Sequence, residues 1–202
     1  MSNFSYKKPR DLGGILSDTF LYIRQNFKSL AKPLLYFGIP FYVVQAFILQ
    51  EYSTNLFNSI MAIESGSDNF GGLFGWEYFL NIFISITALS ALSVITLKHF
   101  KLTSSGKETE LDQIMDGILP LVMWMALLFI IIYICISIGA LLFIIPGIFI
   151  GIKLSFTPAA FILEEKDIFD SMRRSWEVSK GFWWITFGLL IVIYIMIYFS
   201  SL

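Results

Sequence analysis

Five long runs of apolar residues dominate the chain, and short polar segments separate them. A helix needs about 20 apolar residues to cross the hydrocarbon core of a bilayer, because each residue adds about 1.5 Å along the helix axis. The runs therefore predict an all-α fold, a polytopic transmembrane helical bundle of about five spans in one membrane domain. The predicted spans are residues 33–50, 77–97, 118–138, 147–163 and 182–202.

The longest uncharged stretch, residues 117–152, exceeds the length of one crossing. It predicts a helical hairpin with a tight turn between Gly139 and Gly147. The segment between the first two spans, residues 51–76, is polar and acidic and predicts an exposed flexible connector. Its Gly71 and Gly72 follow no strand and precede no lysine, so they do not form the pattern of a phosphate-binding loop.

Two segments beside the spans show apolar residues at helical spacing with charges on the opposite face. Residues 11–32 predict an amphipathic surface helix that leads directly into the first span, and residues 166–181 predict a second one before the last span. A shorter version covers residues 111–118. Such helices lie along the headgroup layer, where they set the entry angle of the next span; a regulatory or partner-binding role is the alternative.

A surface helix followed by a transmembrane hairpin forms a candidate repeat. Residues 11–97 make one copy and residues 108–163 a second, whereas the copy from Asp167 has only one span. On this interpretation a sixth span is missing, and we expect the chain to be either truncated or shortened.

Lysine and arginine residues are concentrated before the first run, after the second and after the fourth. This alternation predicts that the N-terminus lies in the cytoplasm. A composition of 56% hydrophobic and 14% charged residues falls outside the range of soluble globular domains. No cleavable signal peptide is evident, so we expect the first span to be retained. The single cysteine, Cys135, can form no internal disulfide, and we interpret it as a small buried hydrophobic residue.

Lys153, inside the fourth predicted span, is the strongest individual candidate for a functional residue. A charged group within a span is normally paired or faces water. Two interpretations stay open: a structural role, either snorkelling or bonding to carbonyls that Pro158 leaves free, and contact with a substrate or a lipid headgroup in a cleft. Its helical position points it away from the small-residue stripe of the same span, so it faces lipid or a second cleft.

That stripe consists of small residues at four-residue spacing, which allow another helix to approach closely. We expect it to serve simple packing, with the second span, rich in serine and alanine, as its neighbour. Its members are Gly147, Gly151, Ser155 and Ala159.

The sequence contains few residues that could catalyse a reaction or bind a metal ion. The only histidine, His99, lies between lysines and predicts a basic surface turn. Glu164 and its acidic neighbours Glu165 and Asp167 predict a solvated helix start, and Glu77 predicts a solvated position at the mouth of the second span. Trp176 belongs to a group of aromatic residues at a predicted membrane boundary, where such residues anchor helices. We therefore predict no enzyme activity, no metal and no cofactor.

A block in the second half of the chain carries a family resemblance: Ile145-Pro146-Gly147-Ile148, Lys153, Pro158, Glu164, Arg174-Ser175-Trp176 and Lys180-Gly181-Phe182-Trp183. The opening Asp11–Leu16, with Asp18–Phe20 and Arg24–Phe27, belongs to the same pattern. These positions resemble the membrane domain of the glycerophosphoryl diester phosphodiesterase family and, at the opening, its N-terminal surface helix. The resemblance implies a six-span protein of the bacterial cytoplasmic membrane. In family members that are enzymes, catalysis belongs to a separate soluble domain, which nothing in this chain matches.

The favoured functional hypothesis is a non-enzymatic inner-membrane protein that scaffolds, anchors or modulates a partner or the lipid environment. The alternative is a transporter or lipid-handling protein with a cleft near Lys153. Membrane lipid is the expected partner, with a protein partner or a second copy reached through the small-residue faces; no nucleic-acid partner is expected.

Overall fold

The computed structural model describes residues 11–66, 74–106 and 109–200, and every regular element in those ranges is a helix. Gly71, Gly72 and the end of the fifth predicted span after residue 200 lie outside the described residues. The helices are α1 (Leu12–Glu64), α2 (Trp76–Ser104), α3 (Leu111–Met115), α4 (Ile118–Leu142), α5 (Ile144–Leu154), α6 (Thr157–Leu163), α7 (Ile168–Val178) and α8 (Trp183–Ser200).

Four described segments are long and apolar enough to cross a membrane: α1, α2, α4 and the consecutive pair α5–α6. Helices α7 and α8 form a bent pair, at 102°, that raises the number to five. Large apolar side chains cover the outer surface; Leu141 is 90% exposed and Ile145 is 79% exposed. Apolar surface on that scale is typical of a membrane protein. The prediction of an all-α chain with about five helices able to span a membrane is confirmed.

Helix α1 is continuous over 53 residues, about 80 Å at 1.5 Å per residue. The predicted surface helix and first span are therefore parts of one helix, and the predicted connector is wrong over residues 51–64. This part of α1 stays helical because it packs beside the start of α2: the rings of Tyr52 and Tyr78 lie 5.8 Å apart, and Asn55 donates a hydrogen bond to Glu77 at 3.1 Å. Glu77 is only 7% exposed, so its predicted solvated position is wrong as well.

The core lies where α2 packs against α4. Val94 and Ile95 of α2 and Met125 and Leu128 of α4 are completely buried, and Ile114 of α3 closes one end of the same cluster. Apolar side chains thus hold the two central helices together, while the outward faces of both are also apolar.

Helices α4 and α5 form the predicted hairpin, and Phe143 alone separates them. The turn is shorter than predicted because the residues on both sides of Phe143 remain helical. Glycine allows this tight reversal: a Cβ on Gly139 would lie 3.1 Å from the Cα of Gly147, and a Cβ on Gly147 would lie 2.8 Å from the Cβ of Ala140.

The small-residue stripe therefore packs mainly against α4, and the predicted neighbour, α2, is wrong for its first half. Gly147 faces Ala140, and Gly151 faces Ile136 across an ordinary contact of 3.5 Å from a Cβ. The hairpin turn brings α4 against this half of the stripe, which a stripe alone cannot specify. Ser155 and Ala159 do line a shallow groove with α2.

The predicted fourth span is interrupted at Ser155 and Phe156, which separate α5 from α6. Pro158, in the first turn of α6, has no N–H with which to continue the hydrogen bonding of α5. Helix α7 then packs against α6 and α5. The face predicted to be apolar in this segment is buried only in part: Ile168 and Ser175 are buried, whereas Phe169 is 74% exposed.

Candidate functional site

Lys153 lies at the end of α5, beneath α7, and is only 7% exposed. Its Nζ atom lies 5.6 Å from the ring centroids of both Phe149 and Trp176, at cation–π distance. Within the described residues, no carboxylate pairs with this ammonium group. Lys153 thus lies between Phe149 of its own helix and Trp176 of α7.

Ser175 of α7 supports the backbone where α5 ends. Its completely buried hydroxyl donates a hydrogen bond to the carbonyl of Lys153 at 2.7 Å and accepts one from the N–H of Phe156 at 3.1 Å. A continuous helix would pair these backbone groups internally, and the interruption leaves them without such partners. One side chain therefore compensates both sides of the break, although Lys153 itself does not bond to carbonyls freed by Pro158.

An aromatic cluster extends from Lys153 toward α8. Trp183 stacks on Phe149 at 6.0 Å and on Phe187 at 5.3 Å, and it meets Trp184 edge-on at 4.7 Å. Trp176 meets Phe149 edge-on at 6.0 Å. The rings join α5, α7 and α8, so they form an internal contact between helices in addition to the membrane-boundary role predicted for them.

A cavity of about 550 Å³ lies beside this cluster, between α4, α5 and α7; we call it the α7 groove. Its floor is apolar, and its rim carries both charges and an aromatic ring. The floor consists of Cys135, Ile150, Leu154 and Met172, and the rim consists of Arg173, Trp176, Glu177 and Lys180.

The rim is predominantly basic. Arg173 and Glu177, one helical turn apart, form an ion pair at 3.7 Å, and both side chains are at least half exposed. Lys180 forms no ion pair within the part of the chain that the structure describes. The arrangement can hold an anionic group at the rim while apolar material covers the floor.

Ion pairs hold the connector between α6 and α7. Arg174 donates to both carboxylate oxygens of Glu164, at 2.9 and 3.1 Å, and this bond lowers the pKa of Glu164. Glu165, in the left-handed conformation at φ 53°, pairs with Lys101 of α2. Asp167 accepts a hydrogen bond from the N–H of Asp170 and caps α7. The predicted helix start is therefore present at Asp167. The two glutamates are solvated as predicted, with side chains 37% and 78% exposed, and each also forms an ion pair.

His99 is completely buried, so its predicted place in a surface turn is wrong. Its Nδ1 lies 2.7 Å from the hydroxyl of Tyr22, and its Nε2 lies 3.0 Å from that of Ser29. Both ring nitrogens thus connect α2 to α1. The sequence contains a signal for this burial: Ala91, Ile95 and His99 recur every fourth residue along the buried face of α2.

Two lysines flanking His99 tie α2 to other elements. Lys98 donates hydrogen bonds to the carbonyls of Ile114 and Asp116 and so connects α2 to α3. Lys101 donates one to the carbonyl of Ile162 in α6 at 3.0 Å. One turn of α2 therefore fixes the positions of α1, α3 and the α6–α7 connector. Lys98, His99 and Lys101, predicted to form a basic surface turn, instead connect α2 to neighbouring helices by hydrogen bonds.

The structure brings only three of the predicted site residues together: Lys153, Ser175 and Trp176. The others lie apart from them. Pro146, Gly147 and Gly151 belong to the α4–α5 hairpin, Pro158 to α6 and Glu164 to the connector. The groove residues Arg173, Glu177 and Lys180 were not predicted as site residues, because only packing of α7 on α5 places them beside an apolar floor.

Comparison with known proteins finds one family, described as an uncharacterised protein family (UPF0259), whose model matches residues 73–202. No curated protein matches the chain. No solved structure matches it either. The resemblance to the glycerophosphoryl diester phosphodiesterase membrane domain gains no support from these comparisons. Since the match covers well over half of the chain, this protein belongs to the uncharacterised family UPF0259.

Proposed function

We propose that this protein is a non-enzymatic integral membrane protein that binds membrane lipid at the α7 groove and so anchors or modulates its local lipid environment. The observation that carries the proposal is the groove itself, with an apolar floor of Ile150 and Leu154 below a rim that contains Arg173 and Lys180. A lipid has the same two parts, an apolar chain and a polar headgroup.

The hydrogen bonds that the buried polar groups make within the fold support a non-enzymatic role. His99 uses both ring nitrogens to hold α1, and Glu77 accepts a hydrogen bond from Asn55. The Ser175 hydroxyl bonds to two backbone groups. A general base or a nucleophile needs free access to its substrate, and these groups are occupied within the fold.

The cellular setting is also part of the proposal. The alternation of basic segments supports a bacterial cytoplasmic membrane with the N-terminus inside. We also propose that the chain is related to the membrane domain of the glycerophosphoryl diester phosphodiesterase family. The resembling residues around Lys153 and Ser175 support this relationship. Reporter fusions within residues 67–73 and 105–110 test the orientation. We expect the fusion within residues 67–73 to report from outside the cell membrane and the fusion within residues 105–110 from the cytoplasm. Both fusions reporting from the same side would contradict this orientation.

Native mass spectrometry tests lipid binding directly. The protein, extracted in a mild detergent, is compared before and after Cys135, its single cysteine, is modified with a benzyl methanethiosulfonate that fills the groove. We expect at least one retained phospholipid that modification displaces and that returns after reduction of the mixed disulfide. Equal lipid retention in both forms would refute binding at this groove.

Lipid transport is a second candidate, favoured by the interruption between α5 and α6. Transporters place binding sites at such broken helices, and Lys153 lies directly at this break. Proteoliposomes with a fluorescent lipid distinguish the two functions. A transporter accelerates movement of the lipid between leaflets and loses this activity in Lys153→Met, whereas a binding protein leaves the rate at that of empty vesicles.

A further inference from the structure

We propose that the α7 groove selects anionic phospholipids, with the lipid phosphate at Lys180 and Arg173 and an acyl chain over Ile150 and Leu154. This inference rests on the proposed lipid binding and adds the class of lipid. It depends on the charges around the rim and on the chemistry of the floor.

The rim holds more positive than negative charge available to a ligand. Lys180 forms no ion pair within the described residues, and Arg173 shares a long 3.7 Å pair with Glu177 in solvent, where such pairs are weak. Lys153 adds a third cation behind the rim, 5.6 Å from the ring of Trp176. The field at the rim therefore favours an anion.

The basic residues in and beside α7 divide into two groups by their surroundings. Arg174 of α7 and Lys166, which precedes α7, both pair with Glu164, at 2.9 and 3.5 Å. Arg173 and Lys180 face the groove instead. This division supplies matched variants, since the same positive charge can be removed inside or outside the groove.

The floor decides what kind of anion fits. The side chains of Ile150 and Leu154 offer no hydrogen bonds, and those of Met172 and Cys135 offer only weak ones. A soluble anion would leave this floor uncovered, whereas the acyl chain of a lipid buries it. Phosphate at a basic rim and hydrocarbon on an apolar floor together describe an anionic phospholipid.

Alkylation of Cys135 by N-ethylmaleimide reports on occupancy, because the thiol lies in the floor and is the only one in the chain. The rate is measured by mass spectrometry in nanodiscs of phosphatidylcholine alone and of phosphatidylcholine with phosphatidylglycerol. We expect phosphatidylglycerol to slow alkylation of the wild type at least about fivefold, since each basic residue contributes about that factor to binding of anionic lipid.

Two variants distinguish the groove from general surface charge. Lys180→Gln should lose most of the slowing, and Lys166→Gln, which removes the same charge outside the groove, should keep it. Equal behaviour of the two variants, or no effect of phosphatidylglycerol on the wild type, would overturn the selectivity. Arg173→Gln provides a second groove variant if Lys180→Gln fails to fold.

The outcome also separates this inference from the proposed function. Slow alkylation in both lipid mixtures, relative to detergent, would mean that the groove binds lipid without selecting its charge. Fast alkylation in every lipid mixture would refute lipid binding at the groove and the selectivity together.

Discussion

Three buried serines, two in α7 and one directly after it, provide a test of how the broken span is stabilised. Ser171, Ser175 and Ser179 follow one another at four-residue intervals, and each is completely buried. Their hydroxyls differ only in their partners. The Ser175 hydroxyl bonds to one backbone group of α5 and one of the segment after it. The Ser179 hydroxyl bonds to the carbonyl of Trp176 in α7 at 3.1 Å, and the Ser171 hydroxyl has no partner among the described residues.

Replacement of each serine by alanine should therefore give three different results. Ser175→Ala leaves a buried carbonyl and a buried N–H unpaired, and each such group costs about 1–3 kcal/mol. Side-chain hydrogen bonds in membrane proteins average only about 0.6 kcal/mol, so we expect a combined loss near the low end, about 2 kcal/mol of unfolding free energy. Ser179→Ala should lose less than about 0.5 kcal/mol. Ser171→Ala removes an unpaired buried hydroxyl and should be neutral or stabilising by up to about 1 kcal/mol.

Unfolding by SDS in mixed micelles, followed by tryptophan fluorescence, measures all three variants under the same conditions. The substitution and the burial are matched, so differences in unfolding free energy report the hydrogen-bond partners. A loss for Ser175→Ala no larger than that for Ser179→Ala would refute the proposed role of Ser175 at the break, as would Ser171→Ala being the most destabilised of the three.

Three further changes probe the hairpin, the buried histidine and the connector. Gly147→Ala places a Cβ 2.8 Å from that of Ala140 and should lose about 1–3 kcal/mol in the same unfolding assay, whereas Gly151→Ala makes only an ordinary 3.5 Å contact and should be tolerated. His99→Ala removes a completely buried ring and its ties to α1 and should lose about 2–4 kcal/mol, with His99→Gln less affected because it can keep one hydrogen bond. Arg174 lowers the pKa of Glu164 below its ordinary 4.5, so this pair should stabilise the fold above about pH 4.5 and lose its effect as the pH falls through the lowered pKa. Because Glu164 is 37% exposed, the effect should be small, and Glu164→Gln should remove it.

Each of these expectations has a clear contrary result. Equal stability of the two glycine variants would mean that α4 and α5 do not approach as closely as described. A stable His99→Ala variant would place the ring outside the core. An acid-dependent loss that persists unchanged in Glu164→Gln would have to come from another carboxylate.

The periodicity of apolar residues was sufficient to predict most of the helices. The spans, the α4–α5 hairpin and the surface helix before α8 follow from local composition, because lipid leaves helices as the way to satisfy the backbone of an apolar segment. The resembling block also pointed to Lys153, Ser175 and Trp176, which the fold does bring together.

Local composition misled where a neighbouring helix changed the environment of a polar segment. The polar composition of residues 51–64 predicted a flexible connector. Helix α1 instead continues through them, because Asn55 and Tyr52 pack beside the start of α2. His99 was predicted to be exposed because lysines flank it, although its four-residue spacing from Ile95 places it on the buried face of α2.

By itself, the sequence determined that this chain is helical and that several of its helices are long and apolar enough to cross a membrane, because both properties depend on the length and polarity of continuous segments. Only the tertiary structure decided that Lys153 lies under aromatic rings, that Ser175 compensates a broken helix and that Arg173 and Lys180 border an apolar groove. These features depend on which helix faces turn toward each other, and that choice is made by packing between segments distant in the chain.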